Sequence, residues 1–306
     1  MSLILAIETG TDICSVGIAK DGELLSLRES DEGRDHARKV GVFVDELLRE
    51  TDIAPDELDA VAVGKGPGSY TGLRIGVSFA KGLCYGLQKP LIAVGSLDAL
   101  TEVAREDYEA GILSVSDWDR ALLCPMVDAR RMEVYAQVFD AEGRPQNEVT
   151  AEVIDAGSFR EFREQGRPFV IFGSGARKCA DVLAGAEFVE VAPSARGLAR
   201  LAQQALVRTG ARSAISQRSW PTCWDVIRPI PLRWSGSPRR RRSGPPIPAR
   251  SAVRIWAVEV LKHCRERVGW VAEAWDDLVE TMAHGATPGI ECRMRKSWKP
   301  GRSDKA

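Results

Sequence analysis

The sequence predicts a mixed α/β fold, and three observations on the order of its elements support this class. The first is a run of three short apolar segments joined by tight turns near the N-terminus, which indicates two consecutive β-hairpins. The second is an alternation of helical and strand patterns that begins near residue 35. The third is a similar, shorter set of strands and helices after residue 120. Strands that alternate with helices are typical of sheets covered by helices.

The opening hairpins are indicated by apolar runs at Leu3–Ile7 and Cys14–Ala19, which flank a turn at residues 10–12. The pair Asp21-Gly22 is typical of a two-residue hairpin turn. It leads into a third strand at Glu23–Arg28. We therefore expect three antiparallel strands in sequence before the first helix.

Helices and strands then alternate twice along the chain. The apolar spacing predicts, in order, a helix at 35–51, a helical turn, a strand at Ala60–Val63, a helix at 71–88, a strand at 90–96 and a helix at 97–108. The second set is predicted as a strand, a turn at Asp128–Arg131 and a returning strand within 121–143, then a strand, a glycine turn and a helix within 168–185, and a last helix at 194–210.

This element order favours one α/β fold over another. A pure βαβ Rossmann fold does not begin with two consecutive hairpins, whereas the ribonuclease-H-like core shared by actin, hexokinase and Hsp70 does. We therefore predict an actin/Hsp70-like (ASKHA) fold of two lobes. The predicted domains are an N-terminal ribonuclease-H-like lobe at 1–105, a second, smaller lobe at 106–210 and an atypical tail at 211–306.

Composition narrows the class of protein. Hydrophobic residues make up 44% of the chain and charged residues 28%, which is typical of a globular protein. No stretch approaches the roughly 20 apolar residues of a membrane span, and the N-terminus lacks the basic region of a signal peptide. We expect a cytoplasmic protein with no membrane association. The seven cysteines are scattered and form no CxxC pair, so neither a zinc ribbon nor a disulfide scaffold is indicated.

The residues after 211 differ in composition from those before. From Arg212 onward the chain holds 19 basic and nine acidic residues, and seven of the eight tryptophans lie there. The segment is rich in Arg, Pro, Ser and Trp and has little periodicity. We expect a poorly ordered tail, whose composition is typical of a GC-rich gene read in a wrong frame. We interpret it as a frameshift product or as a sequence or assembly error. The alternative is a genuine fused domain, because residues 253–285 have an amphipathic helical pattern.

A glycine-rich segment, GKGPGSYTGLRIG at residues 64–76, joins a predicted strand to a predicted helix. It matches neither the Walker A loop nor the G-x-G-x-x-G fingerprint, because Gly66 follows Lys65 and residue 69 is Ser. A strand–loop–helix junction still presents backbone N–H groups to an anion. The alternative is that Ser69 or Thr71 caps the helix and the glycines only turn the chain.

The helix that follows this segment has small residues at a spacing of four, Gly72, Gly76 and Ala80. Glycine inside a helix costs about 1 kcal/mol relative to alanine, so a close approach to another element is expected. That element is either a part of the same domain or a second protein. The helix at 35–51 is apolar on more than one stripe, since Phe43 lies off the Val40–Val44 stripe. This favours a helical interface between chains.

Four segments together carry a resemblance to a known family. They are LAIETGTDICSVGI, GKGPGSYTGLRIGVSFAKGL, VDARRMEVYAQVF and PSARGLARLA, in this order over residues 1 to about 208. With them the chain resembles the TsaB (YeaZ) family, whose members have the actin/Hsp70-like fold. The chain departs from the family after Gly210, where a pattern like AYFEPFYLK is expected and is missing. This puts the completeness of the second lobe in doubt.

The resemblance implies a non-catalytic subunit that binds and activates TsaD. TsaD forms the threonylcarbamoyl group on adenosine 37 of tRNAs that read ANN codons. The resemblance also implies a third partner, the ATPase TsaE, with tRNA held indirectly through the complex. A homodimer through the same helical seam is the expectation when TsaD is absent. We expect no cofactor held firmly by this chain, with ATP at or near the complex interface.

The expected TsaD interface lies on the two helices of the first lobe. Its candidate residues are Val40, Phe43, Val44, Leu47, Gly72, Arg74, Ile75, Gly76, Phe79, Ala80 and Leu83. If Gly76 allows the partner helix to approach, Gly76→Leu abolishes pairing and leaves the monomer mostly folded.

Catalytic chemistry by this chain is not indicated. TsaD-like enzymes bind metal with closely spaced histidines on a helix, and the corresponding helix here offers only His36, which we expect to be a partly exposed polar residue. No metal site and no catalytic residue are therefore predicted. Actin-like ATPases hold Mg²⁺ and phosphates near the first hairpin, so the candidate nucleotide or phosphate contacts are Glu8, Thr9, Asp12 and Asp128.

Three alternative functions remain open from the sequence. An actin-like ATP-dependent small-molecule kinase requires tight ATP binding. A stand-alone TsaD-like carbamoyltransferase requires a metal site. An RNA-binding module is suggested by the arginine run at residues 239–242 with tryptophans nearby, since basic segments with aromatics bind single strands. Arg130 and Arg131 are further candidates for a phosphate or RNA contact, with a solvated turn as the alternative.

Overall fold

A computed structural model describes residues 1–32 and 35–209 of the chain. The tail at 211–306, with two of the three histidines and three of the seven cysteines, lies outside the described residues. The predictions made for it stay predictions. In the described part of the chain, no helix is both long enough and apolar enough to cross a membrane.

The first sheet has five strands and contains the predicted hairpins. The strands are β1 (Leu3–Glu8), β2 (Cys14–Lys20), β3 (Glu23–Ser30), β4 (Ala60–Gly64) and β5 (Leu91–Val94). Their order across the sheet is β3-β2-β1-β4-β5. The first three are antiparallel neighbours, whereas β4 and β5 run parallel to β1. Asp21 and Gly22 both have positive φ, as the predicted hairpin turn requires.

Helices cover both faces of this sheet. The helices of the described chain are α1 (His36–Glu50), α2 (Tyr70–Leu87), α3 (Ser96–Glu109), the short α4 (Arg160–Arg163) and α5 (Ala195–Thr209). The predictions for α1, α2, α3 and α5 are confirmed. Helices α1 and α2 pack on one face, and α5 packs on the other.

Side-chain size differs between the two faces of β1 and β4. Leu5, Ile7 and the alternate valines of β4 face α1 and α2. Ile4, Ala6 and the alanines of β4 face α5. Successive side chains of a strand point to opposite faces. The alternation of residues along β1 and β4 therefore determines the packing against α1 and α2 on one face and against α5 on the other. The small residues on the second face let α5, itself rich in alanine, lie close to the sheet.

The second sheet is formed by the later part of the chain. Its strands are β6 (Leu122–Asp128), β7 (Glu133–Ala136), β8 (Phe139–Asp140), β9 (Thr150–Val153), β10 (Phe169–Phe172) and β11 (Glu187–Phe188). The order is β11-β10-β6-β7-β9, and β8 also pairs with β6. As in the first sheet, a hairpin stands beside parallel strands. The predicted α/β class with two ribonuclease-H-like sheets is confirmed.

Two predictions for the second sheet are wrong in detail. The helix expected after β10 is a 3₁₀ turn at Arg177–Cys179, followed by further turns. Most of its hydrogen bonds span three residues, and Gly185 at φ +84° ends the segment before a longer helix can form. The returning strand is broken between β7 and β8, because Gln137 and Val138 bond to Asn147 instead. Strands β9 and β11 and helix α4 were not predicted.

Helix α3 lies between the second sheet and α5. Leu97, Leu100 and Val103 pack on the second sheet, and a Cβ at Gly197 of α5 would overlap the carbonyl oxygen of Ala99. Arg196 and Arg200 of α5 form ion pairs with carboxylates of α3. The last helix of the predicted second domain thus packs on the first sheet. The domain boundaries stay a prediction.

Candidate functional site

The candidate site lies where β1, β4 and β5 end. These three strands are parallel, so their carboxyl ends meet at one edge of the first sheet. Glu8 ends β1, Gly64 ends β4, and Ser96 begins α3 two residues after β5. The glycine-rich segment 64–76 therefore starts beside the first hairpin.

Glu8 is turned into the protein at this edge. Its side chain is buried, with 2% exposure. One carboxylate oxygen accepts a hydrogen bond from Gly10 N–H at 2.7 Å, and the other accepts one from the Ser96 hydroxyl at 2.9 Å. A Cβ at Gly64 would overlap the same carboxylate. Glu8 thus joins the end of β1, the glycine-rich segment and the start of α3.

Burial makes the protonated form of Glu8 more stable, relative to the ionised form, than it is in water. Loss of hydration on burial raises the pKa of this carboxyl above its ordinary value. The hydrogen bonds from Gly10 and Ser96 and the nearby charge of His36 act in the opposite direction. The rise shows that burial outweighs these contacts.

The glycines of segment 64–76 make room for the loop between β1 and β2. A Cβ at Gly68 would overlap the carbonyl oxygen of Gly10, and a Cβ at Gly72 would overlap that of Thr9. A Cβ at Gly76 would overlap the hydroxyl oxygen of Thr9. Glycine is used here because backbone and side chain of the loop pass too close for any Cβ atom.

Hydrogen bonds hold the loop in this position. The Thr9 hydroxyl donates to the carbonyl oxygen of Gly72 at 2.8 Å, and Ser69 N–H donates to that of Gly10 at 2.6 Å. The Ser69 side chain also accepts from Gly72 N–H at 3.3 Å and caps α2, which agrees with the alternative that Ser69 or Thr71 caps this helix. The close approach expected from the spacing of Gly72 and Gly76 is therefore made within this chain.

His36 begins α1 on the other side of the same loop. It is buried, with 5% exposure, so the expectation of a partly exposed side chain is wrong. Its Nε2 lies 2.8 Å from the carbonyl oxygen of Thr11 and so carries the donated hydrogen. Nδ1 has no hydrogen-bond partner among residues 1–32 and 35–209. Within these residues no three His, Cys, Asp or Glu side chains gather as metal ligands do.

The four candidate phosphate contacts differ in burial: Glu8 and Thr9 are buried, whereas Asp12 and Asp128 are exposed. Glu8 and Thr9 use their polar groups inside the protein. Asp12 is exposed in the β1–β2 loop. Asp128 is exposed at the end of β6 in the second sheet, where it pairs with Lys178. Of the four candidates, Asp12 and Asp128 are the two that are exposed to solvent.

Most of the candidate interface residues are buried inside this chain. The buried ones are Val40, Val44, Leu47, Gly72, Gly76, Phe79, Ala80 and Leu83. Phe43, Arg74 and Ile75 are partly exposed. The basis of the Gly76→Leu expectation is wrong, because a leucine at 76 would overlap Thr9 of the same chain.

Two aromatic residues on the outer side of α2 were missed by the sequence analysis. Tyr70 is 47% exposed and Tyr85 is 39% exposed. The guanidinium of Arg74 lies over the Tyr70 ring, 4.8 Å from its centroid. Lys81 completes a polar and aromatic stripe at helical spacing. The spacing of these residues is visible in the sequence, on the side of α2 opposite Gly72 and Gly76.

Comparison with known proteins gives one matching family model and several similar relatives. The family model described as TsaD, tRNA N6-adenosine threonylcarbamoyltransferase, matches residues 30–161. A tRNA threonylcarbamoyladenosine biosynthesis protein TsaB from Haemophilus influenzae is 32% identical over 162 residues, which are 53% of this chain and 60% of the relative. The TsaB protein of Bacillus subtilis is 31% identical over 172 residues, 56% of this chain and 70% of the relative.

The chain is also similar in fold to a solved structure. YeaZ from Pseudomonas aeruginosa superposes with a TM-score of 0.58 at 27% identity, over 70% of this chain and 98% of that one. In sequence, the match spans about 60% of the length of the Haemophilus influenzae relative.

Proposed function

The chain belongs to the TsaB family, and from this membership we propose that it is a non-catalytic subunit that binds and activates TsaD. In this proposal TsaD carries out the transfer of the threonylcarbamoyl group to adenosine 37 of tRNAs that read ANN codons. The present chain contributes a surface and a conformation rather than reacting groups.

The observation that carries the proposal is the inward orientation of Glu8. A carboxylate that holds Mg²⁺ or its water beside a nucleotide must offer oxygen atoms to the site. Both oxygens of Glu8 instead accept hydrogen bonds from this chain, and the side chain is buried. The same edge of the sheet is filled by Thr9 and the glycine-rich segment. These groups serve packing, which supports an accessory role.

The outer surface of α1 and α2 supports the partner assignment. Helices α1 and α2 pack side by side on the first sheet. Phe43 and Ile75 are partly exposed at their surface, and Tyr70, Arg74 and Tyr85 lie along the outer side of α2. Tyrosine and arginine are enriched among the residues that dominate binding energy at protein interfaces. We propose that TsaD binds this surface, named here the α1/α2 surface.

Further parts of the proposal rest on the family alone. We propose TsaE as the third partner, and a homodimer through the α1/α2 surface when TsaD is absent. We propose no cofactor held firmly by this chain, with ATP at or near the complex interface. The proposed location is the cytoplasm.

A reconstituted reaction tests this function. TsaD, TsaE, ATP, threonine, bicarbonate, an unmodified tRNA and the enzyme that supplies threonylcarbamoyl adenylate are incubated with and without this chain, and modified adenosine is measured by mass spectrometry. We expect product only with this chain and TsaD together. Asp12→Asn is expected to retain activity, because Asp12 has no catalytic role in the proposal. Product formed without TsaD, or lost with Asp12→Asn in a folded variant, would favour the carbamoyltransferase or kinase alternatives.

A further inference from the structure

We propose that the turn between β6 and β7, through Arg130 and Arg131, binds the phosphate groups of RNA directly. This inference rests on the proposed function in tRNA modification and goes beyond an indirect contact with tRNA through TsaD. It starts from the backbone of the turn.

The turn places two consecutive arginines in the left-handed region. Arg130 has φ +76° and Arg131 has φ +50°. A side chain with a Cβ atom is strained there, and glycine or asparagine is the usual residue. Backbone strain of this kind persists where the surroundings impose it, and it concentrates at functional positions.

The two guanidinium groups are exposed, and neither forms an ion pair with another described residue. Neighbouring cations differ in this respect. Lys178 pairs with Asp128, and Arg177 pairs with Glu190 at 2.9 Å. The turn therefore presents two positive charges to solvent beside cations that are already neutralised.

The base of the turn is held firmly by hydrogen bonds. Asp128 accepts from Arg130 N–H at 2.9 Å, and Asp128 N–H donates to the Ser174 hydroxyl at 3.1 Å. Lys178 donates to Asp128 and, at 2.8 Å, to the carbonyl oxygen of Glu133. Ala129 N–H donates to the same carbonyl oxygen at 3.1 Å. The arginines thus project from a fixed turn, which lowers the entropy lost when they bind an anion.

An RNA backbone suits this turn better than a small anion does. Ligands of small size bind in concave sites that surround them. Arg130 and Arg131 are both exposed on the turn between β6 and β7. Arginine binds phosphate oxygens in a bidentate manner, and such contacts position a protein on nucleic acid without reading its sequence. Two adjacent arginines on an exposed turn fit successive phosphates of a strand.

The test uses the full chain and its TsaD complex with an unmodified tRNA transcript. The first variant is Arg130→Gly with Arg131→Asn, which removes both charges and suits the backbone. A charge-matched control is Arg160→Gln with Arg208→Gln, two exposed arginines on other elements. A third variant, Arg130→Lys with Arg131→Lys, retains the charges. Binding of the tRNA is measured at several salt concentrations, together with the Tm and the formation of the TsaD complex.

For the first variant we expect about tenfold weaker tRNA binding, and a plot of log affinity against log salt whose slope is reduced by about 1.5. Its Tm should be no lower than that of the parent chain, because the strain is relieved. The control should bind like the parent, and the lysine variant should keep the salt slope. All of these variants should form the complex with TsaD as the parent chain does. If the parent chain itself forms no complex with TsaD, the proposed function fails, and this result is distinct from failure of the present inference.

Three results would overturn the inference. The first is unchanged tRNA affinity and salt slope in the first variant while the TsaD complex forms. The second is loss of the TsaD complex in that variant alone, which would assign the turn to an acidic protein surface. The third is displacement of tRNA from the parent chain by excess ATP, together with ATP binding by the parent chain that the first variant lacks. This result would identify the turn as a site for a free nucleotide.

Discussion

Gly76 lies so close to Thr9 that a Cβ atom at residue 76 would overlap the hydroxyl oxygen of Thr9 and lie 3.4 Å from its Cβ. The two residues belong to α2 and to the β1–β2 loop. Helix α2 has a glycine at this position because the β1–β2 loop of the same chain packs closely against it. The glycine-rich segment therefore packs against the loop that follows β1 and stabilises its position.

This contact predicts that Gly76→Ala destabilises the fold. We expect a loss of about 2 kcal/mol or more, since the added methyl group has no room unless the loop moves. The measurement is chemical unfolding followed by circular dichroism. Thr9→Ala removes the hydroxyl, so Gly76→Ala should cost less in that background, with a coupling energy of about 1 kcal/mol. Additive effects of the two substitutions would contradict the contact.

The burial of Glu8 predicts a pH dependence of stability. Because burial raises the pKa of this carboxyl in the folded state, the folded protein holds the proton more tightly than the unfolded chain does. The stabilisation is complete below the unfolded pKa and is lost as the pH rises through the folded pKa. Between the two values the free energy of unfolding falls by about 1.4 kcal/mol per pH unit from this group.

Glu8→Gln isolates this contribution. The glutamine keeps the shape, accepts from Gly10 N–H and donates to the Ser96 hydroxyl, but it does not titrate. Unfolding is measured for both proteins from about pH 4.5 upward, the ordinary region of a glutamate pKa. The stability of the parent relative to the variant should fall as the pH rises. A constant difference between the two proteins would show that Glu8 does not titrate as described.

Ser96→Ala tests the second hydrogen bond of Glu8. Loss of the hydroxyl leaves one carboxylate oxygen without its 2.9 Å donor in a buried place. We expect a loss of about 1–3 kcal/mol at neutral pH, and a smaller loss in acid, where the carboxyl is protonated. In the Glu8→Gln background the cost should depend little on pH. A pH-independent cost in the parent chain would argue against this contact.

The α1/α2 surface predicts residues that affect pairing but not folding. Arg74→Glu and Tyr85→Ala should each weaken TsaD binding by about 2 kcal/mol, or roughly 30-fold. Their Tm values should stay close to that of the parent. Leu25→Ala, at a 47% exposed position on β3, is the control on another surface. TsaD affinity is measured by titration calorimetry. If all three variants bind TsaD as tightly as the parent chain does, TsaD does not bind the α1/α2 surface.

The sequence was a good guide to the elements and a poorer guide to their contacts. Strand alternation and turn pairs such as Asp21-Gly22 are local signals, so β1 to β5 and their helices could be predicted. The spacing of Gly72 and Gly76 indicated a close approach, but spacing along one helix does not identify what approaches it. Only the folded chain shows that the neighbour is Thr9.

The same limit applies to single polar residues. Glu8 was a candidate for phosphate binding because of its position after β1, and the sequence does not show that Gly10 and Ser96 satisfy its oxygens. Ser96 is 88 residues away from Glu8 in the sequence, so no local pattern connects the two. The positive φ values of Arg130 and Arg131 were equally hidden, because arginine is not a residue from which such a backbone is expected.

Size-exclusion chromatography with light scattering, on this chain mixed with TsaD from the same organism, tests the central claim most directly. The account predicts a stable complex with one copy of each chain, which Arg74→Glu weakens and Leu25→Ala leaves intact. Separate elution of the two folded proteins at micromolar concentration, with no change of mass for either, would contradict the account of this chain as a TsaD-binding subunit.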